Sequence, residues 1–178
     1  MVIRCYTDGS CSGNPGPGGY ASIISFGNHL HISMCGNKEM TTNNEMELTS
    51  FLQTLRYISR NRYQLDDLKI RIDIHSDSAY VVNSINQGWL ESWERNSWIN
   101  RQNLPIKNIE TWKLILMYLQ DIKSWKNCKL NIIKVKGHSG NLNNEFVDKL
   151  AKLSRDRKLE FEKEFPSSEE MLKYDYRS

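Results

Sequence analysis

Four carboxylates stand where a fold tends to do chemistry: Asp8, Glu47, Asp77 and Asp148. Asp8 closes a strand-like run at residues 2–8, and Asp77 follows another at 68–76. In an open α/β sheet, reactive groups gather at the carboxyl ends of strands. Neighbouring parallel strands would set Asp8 and Asp77 in one crevice. Glu47 lies one turn into a helix and Asp148 lies early in the last helix, so topology lets four acids converge. Each acid also has an ordinary structural reading. Asp8 precedes Gly9 as a turn residue would, Asp77 can cap a helix, and Glu47 and Asp148 suit the positive ends of helices. Gathered together they need a further cause, because close anions repel and raise one another's pKa. A divalent cation removes that cost. Hard oxygen donors, without paired His or a C-x-x-C, favour Mg²⁺ or Mn²⁺ over zinc.

The elements that must position these acids are legible in outline. Residues 2–8, 20–27 and 29–35 read as strands, and Gly27-Asn28 marks a tight turn between the last two. A Gly/Pro-rich loop is expected from Gly9 to Gly19. Thr42-Asn43-Asn44-Glu45 fits a capping box, and Leu48, Phe51, Leu52, Leu55 and Ile58 then recur at helical spacing. Residues 68–76 alternate as a half-buried strand should, and 78–86 read as a short helix. Helical spacing resumes over 109–124, a fifth strand covers 129–135, and a Gly-flanked loop bearing His138 leads into the final helix. The order βββ-α-β-α-α-β-α implies one mixed sheet with helices on its faces.

Composition bounds the function classes. A chain of 178 residues fits one domain, and 39% hydrophobic against 25% charged residues is a globular rather than a disordered profile. No apolar run approaches a membrane span of about 18–20 residues, and the N-terminus lacks a secretory pattern. Cys5, Cys11, Cys35 and Cys128 are widely spaced, which points to a reducing compartment. The net charge of +3 is uneven: residues 111–154 hold eight Lys and Arg against three Asp and Glu. That face suits a phosphate partner, and equally the solvated side of a helix and a strand.

Five stretches then resemble one family, type 1 ribonuclease H. They are Tyr6 to Tyr20 (YTDGSCSGNPGPGGY), Thr41 to Leu48 (TTNNEMEL), Ser76 to Val81 (SDSAYV), Val135 to Gly140 (VKGHSG) and Asn144 to Ala151 (NEFVDKLA). They occur in the family's order and at similar spacing, and the resemblance covers residues 2–154. The resemblance implies an α/β ribonuclease H-like fold. That fold has a five-stranded mixed sheet, three antiparallel meander strands plus two parallel ones, flanked by helices and carrying a Trp-containing protrusion. It divides the chain into a catalytic domain at 1–154, with the protrusion at about 89–108, and a charged C-terminal extension at 155–178. The extension, with its Phe161-Glu162-Lys163-Glu164-Phe165 run, is expected as a helical or disordered tail.

The implied activity is hydrolysis of the RNA strand of RNA/DNA hybrids by two Mg²⁺ ions, with Mn²⁺ as substitute, leaving a 5′-phosphate and a 3′-hydroxyl. Asp8, Glu47, Asp77 and Asp148 fall on the family's metal-binding carboxylates, with Asp8 as the bridge between ions. His138 falls on its loop histidine, linked to proton transfer or product release. Asn14, Asn43 and Asn44 match residues that read the RNA 2′-hydroxyl, the local feature that separates RNA from DNA. Trp89, Trp93 and Trp98 fall on the protrusion that grips the DNA strand, while Thr42 and Asn108 match its DNA-phosphate pocket. Three positions depart from the pattern. Met40 stands where relatives often carry Arg, Ala79 where they carry a longer side chain, and Glu94 dilutes Arg95 and Arg101 in the protrusion. Weaker hybrid affinity than a relative with a basic protrusion is therefore expected, unless Lys113, Lys123, Lys126 or Lys129 compensate. A monomer in the cytoplasm is expected, with a nucleus or organelle left open. Two alternatives rank lower. A catalytically weak hybrid-binding module would have lost an acid, and all four are present. A nuclease module of a reverse-transcriptase-like system would carry a polymerase segment, whereas this chain starts with Met directly before the first motif.

Overall fold

A computed structural model describes every residue except 63, 64, 66, 67, 138, 139, 177 and 178. In chain order the elements are β1 (Val2–Cys11), β2 (Gly16–Phe26), β3 (Leu30–Thr41), α1 (Asn43–Arg60), β4 (Ile70–Ser76) and α2 (Ala79–Asn86). They continue as α3 (Trp89–Arg95), α4 (Ile109–Lys123), β5 (Cys128–Lys134), α5 (Leu142–Arg157), β6 (Phe161–Phe165) and α6 (Ser168–Lys173). The strands form one sheet in the order β5-β4-β1-β2-β3-β6. β4 pairs in parallel with β1 and β5, and the other pairings are antiparallel.

The hydrophobic spacing explains the layers. Leu48, Phe51, Leu52, Leu55 and Ile58 on α1 are all buried, as their spacing predicts. They pack with Trp112, Ile115, Leu116, Leu119 and Ile122 of α4 against Ile3, Ile24, Ile72 and Ile74 of the sheet. Each fully buried side chain of this size contributes about 1.5–3 kcal/mol. A second core lies on the opposite face, where Val147, Leu150 and Ala151 of α5 meet Tyr6, Ala21, Ile23 and Cys35.

Three expectations change. The sheet has six strands, not five, because residues 161–165 are neither helical nor disordered: β6 pairs with β3 from His31 to Cys35. The sequence disguises it with three consecutive charges, and its partner lies about 130 residues earlier. The presumed Gly9–Gly19 loop is mostly strand, since β1 runs to Cys11 and β2 starts at Gly16. Its glycines permit close approach: a Cβ on Gly19 would stand 2.3 Å from the Ala151 carbonyl oxygen of α5. The capping box is half formed. The Thr42 hydroxyl accepts from the Glu45 N–H at 3.2 Å, but the Glu45 carboxylate turns to Lys38 and to the Thr41 hydroxyl at 2.7 Å.

The protrusion is α3 and the loop that follows it, closed by a bridge between Ile99 and Pro105. It is held to the core by aromatic edges. Trp93 meets Trp112 with ring centres 5.5 Å apart, and the Trp112 indole N–H donates to the Tyr80 hydroxyl at 2.9 Å. Trp98 packs on the same core, whereas Trp89 remains 41% exposed.

Candidate active site

The parallel register of β1 and β4 ends at Thr7 opposite Ser76. Asp8 and Asp77 are the next residues on those two chains, so both leave the ladder side by side. Asp8 lies within β1 rather than at its end, because the antiparallel pairing with β2 continues, with Asp8 opposite Ala21. Its carboxylate is buried and accepts the Gly9 N–H at 2.7 Å. α1 crosses directly over this point. A Cβ on Gly9 would stand 2.3 Å from the Glu47 backbone nitrogen, so only glycine lets the helix bring Glu47 this close.

Side chains then fix each acid. One Glu47 oxygen accepts from Asn43 Nδ2 at 2.9 Å, and the other accepts from the Ser78 hydroxyl. The same Ser78 oxygen caps α2 by accepting the Val81 N–H at 3.3 Å. Asp77 Oδ2 accepts from Asn144 Nδ2 at 3.3 Å. Asn144 lies one turn before Asp148 on α5, is 2% exposed, and leaves its own carbonyl oxygen buried with no partner among the described residues. Asp148 is paired with Lys152 at 2.8 Å, one helical turn on.

The electrostatics confirm that the acids share one environment. The Asp8 carboxyl is pushed up to about 8, first by burial and next by the Asp77 charge. The Gly9 N–H opposes that rise, while Asp148 and Glu47 add to it. Glu47 is also raised, chiefly by burial, with the Ser78 and Asn43 hydrogen bonds pulling it back. Among the described residues, no three His, Cys, Asp or Glu side chains already form a metal-holding group. Each carboxylate accepts from its own donor: Gly9 for Asp8, Asn43 and Ser78 for Glu47, Asn144 for Asp77 and Lys152 for Asp148. The donor set still fits hard divalent cations, being all carboxylate oxygen.

The sequence profile described as RNase H matches residues 2–155. This chain belongs to the ribonuclease H family. The Ribonuclease H of Thermoanaerobacter sp. (strain X514) is 40% identical over 151 residues, covering 84% of this chain and 87% of that protein. Such ribonuclease H enzymes are endoribonucleases, and the chain is an enzyme of that kind. Two solved structures share the fold at 22% identity. LC9-RNase H1, described as a type 1 RNase H with the type 2 active-site motif, has a TM-score of 0.76 and covers 99% of this chain and 82% of its own. LC11-RNase H1 in complex with RNA/DNA hybrid has a TM-score of 0.62 and covers 87% of this chain and 97% of its own.

Within this ribonuclease H family member, the other expected site residues spread outward from the carboxylates. Asn14 is exposed, and its side-chain oxygen accepts the Asn43 N–H at 3.3 Å, tying the first loop to the start of α1. Asn44 is exposed beside them. Thr42 caps α1 through its oxygen, which leaves its hydroxyl proton for another acceptor. Asn108 holds a left-handed backbone (φ 57°) at the start of α4 and makes no side-chain cap there. Trp89 and Trp93 line a groove of about 420 Å³ on the protrusion with Asn100 and Arg101. His138 lies outside the described residues. The Gly140 N–H donates to Glu145 Oε1 at 3.1 Å. Met40 is 65% exposed. Sequence reasoning missed Ser78 and Asn144 as positioning residues, although both lie inside the quoted SDSAYV and NEFVDKLA stretches. No helix among the described residues is long and apolar enough to cross a membrane.

Proposed function

We propose that the chain hydrolyses the RNA strand of RNA/DNA hybrids, as a monomer in the cytoplasm, with Asp8, Glu47, Asp77 and Asp148 holding two Mg²⁺ ions. One observation carries this: Asp8 and Asp77 leave the β1/β4 ladder side by side, α1 crosses over Gly9 to bring Glu47 there, and Asn144, one turn before Asp148, reaches Asp77. When bound, divalent ions there activate water and stabilise the leaving 3′-oxygen, with a 5′-phosphate as the other product; Mn²⁺ substitutes. The protein's own groups do the rest. Asn43 and Ser78 orient Glu47, and Asn144 orients Asp77. Asn14, Asn43 and Asn44 read the RNA 2′-hydroxyl through the minor groove, a role that the exposure of Asn14 and Asn44 supports. Thr42 and Asn108 hold a DNA phosphate, and the groove at Trp89 and Trp93 takes the DNA-strand sugars. His138, outside the described residues, assists proton transfer or product release. The catalytic unit spans 1–154, and 155–178 is a C-terminal extension whose β6 adds a strand to the sheet. The hybrid named with LC11-RNase H1 supports this substrate class.

The test uses end-labelled RNA/DNA, RNA/RNA and DNA/DNA duplexes, each with Mg²⁺, Mn²⁺ or EDTA, beside an Asp77→Asn variant. Metal-dependent cutting of RNA in the hybrid alone, lost in the variant, is expected. Hybrid binding without cutting in either metal would replace the proposal with a binding module.

A further inference from the structure

One cation at the rim of this centre remains without a role. Lys134 ends β5 opposite Ser76 of β4, the residue before Asp77. The pairing continues one step further, where the Val135 N–H donates to the Ser76 carbonyl at 3.0 Å. From this position the Lys134 ammonium donates to the Asp77 main-chain carbonyl at 2.9 Å. The residue breaks a pattern. Leu130 and Ile132, on the same face of β5, pack against the main core, and strand alternation calls for a third apolar side chain at 134. A lysine stands there instead, exposed at the strand's carboxyl end. Its use also differs from that of Lys152, which is committed to the Asp148 carboxylate. Lys134 donates instead to a neutral carbonyl, so its charge is not paired with one carboxylate. Its field favours the charged form of Glu47.

We propose that Lys134 is a resident counter-charge of the carboxylate cluster, easing repulsion in the metal-free protein and thereby weakening the cluster's hold on divalent cations. This rests on the metal-binding reading of the four acids. A fixed positive charge beside Asp77 opposes an arriving cation while it offsets anionic repulsion, so removing it tightens metal binding. A merely structural lysine predicts the reverse, because a distorted site binds metal more weakly.

Mn²⁺ is titrated calorimetrically into metal-free wild type, Lys134→Met, Lys134→Gln, Lys134→Arg and Asp77→Asn. The Met and Gln variants are expected to bind Mn²⁺ about three- to tenfold more tightly, and Arg to match wild type. Gln keeps a donor for the Asp77 carbonyl, so agreement with Met assigns the effect to charge. Thermal unfolding with and without Mn²⁺ supplies a second readout, in which the Met variant gains more from the metal than wild type does. Unchanged or weaker Mn²⁺ affinity in both neutral variants overturns the proposal while the metal reading stands. Absence of any Mn²⁺ heat in wild type, with no difference in Asp77→Asn, overturns both.

Discussion

Asp8, proposed above as a metal-holding carboxylate, is held in an unfavourable setting. In the folded, metal-free protein its carboxyl keeps its proton up to about pH 8, against 3.8 for an unperturbed aspartate. Between those limits the folded chain binds more protons than the unfolded chain, so stability falls as pH rises from about 4 to about 8. Asp8→Asn removes the titration. We expect the variant to be inactive yet to melt higher than wild type in EDTA at pH 8, by about 2–4 °C for each kcal/mol regained. Melting curves from pH 4 to 9 check this; equal wild-type and variant profiles would contradict the assigned cause. The sequence singled out the four acids because they sit in short, dense motifs. It did not reveal which neighbours hold them. Ser78 and Asn144 look like ordinary helix-start residues until the fold brings Glu47 and Asp77 to them.

Glycines decide how closely elements approach the sheet. Gly9 admits α1 and Gly19 admits α5, in both cases against backbone atoms that have no free rotation to yield. Gly19→Ala is therefore expected to displace α5, cost about 1–3 kcal/mol and lower activity through Asp148. Urea unfolding and hybrid cleavage of the same preparation test this together; a variant with wild-type midpoint and rate would refute the packing role. These glycines read as a loop in the sequence because Gly and Pro ordinarily punctuate strands. Nothing local signals that Ala151 and Arg155 will lie across Gly19. By contrast, α1 and α4 were legible throughout, since their buried faces repeat at the helical period within one continuous stretch.

The whole molecule is a ribonuclease H core with a C-terminal addition that completes both sheet and core. Phe165, Met171 and Tyr176 are buried against the layer containing α5, and Tyr176 stacks on Phe161 with ring centres 5.1 Å apart. Truncation after Lys158 is expected to lower stability by about 2–4 kcal/mol after allowing for the ordering of the removed segment. Hybrid cleavage at 25 °C should persist, because none of the hydrogen bonds described for the four carboxylates comes from the addition. Loss of cleavage by a truncated chain that still folds would overturn that separation. The surface makes its own prediction. With Glu94 beside Arg95 and with Met40 exposed, hybrid affinity should fall less steeply with salt than in a relative with a lysine-rich protrusion, by about one logarithmic slope unit per missing phosphate contact. A salt titration of both proteins with equal slopes would show that other lysines make up the difference. The addition was hidden in the sequence because it reads as dense charge, and its pairing depends on a strand edge far earlier in the chain.

β6 also determines what another copy of the chain meets. Without it, β3 would present an open row of backbone donors and acceptors along His31 to Cys35, next to the apolar Ile32 and Met34. With it, the strand at this edge of the sheet is only five residues long and shows Glu162, Lys163 and Glu164 to solvent. A short, mixed-charge rim is a poor template for strand-to-strand association. The C-terminal addition thus replaces a long, apolar strand edge beside β3 with a short, charged one.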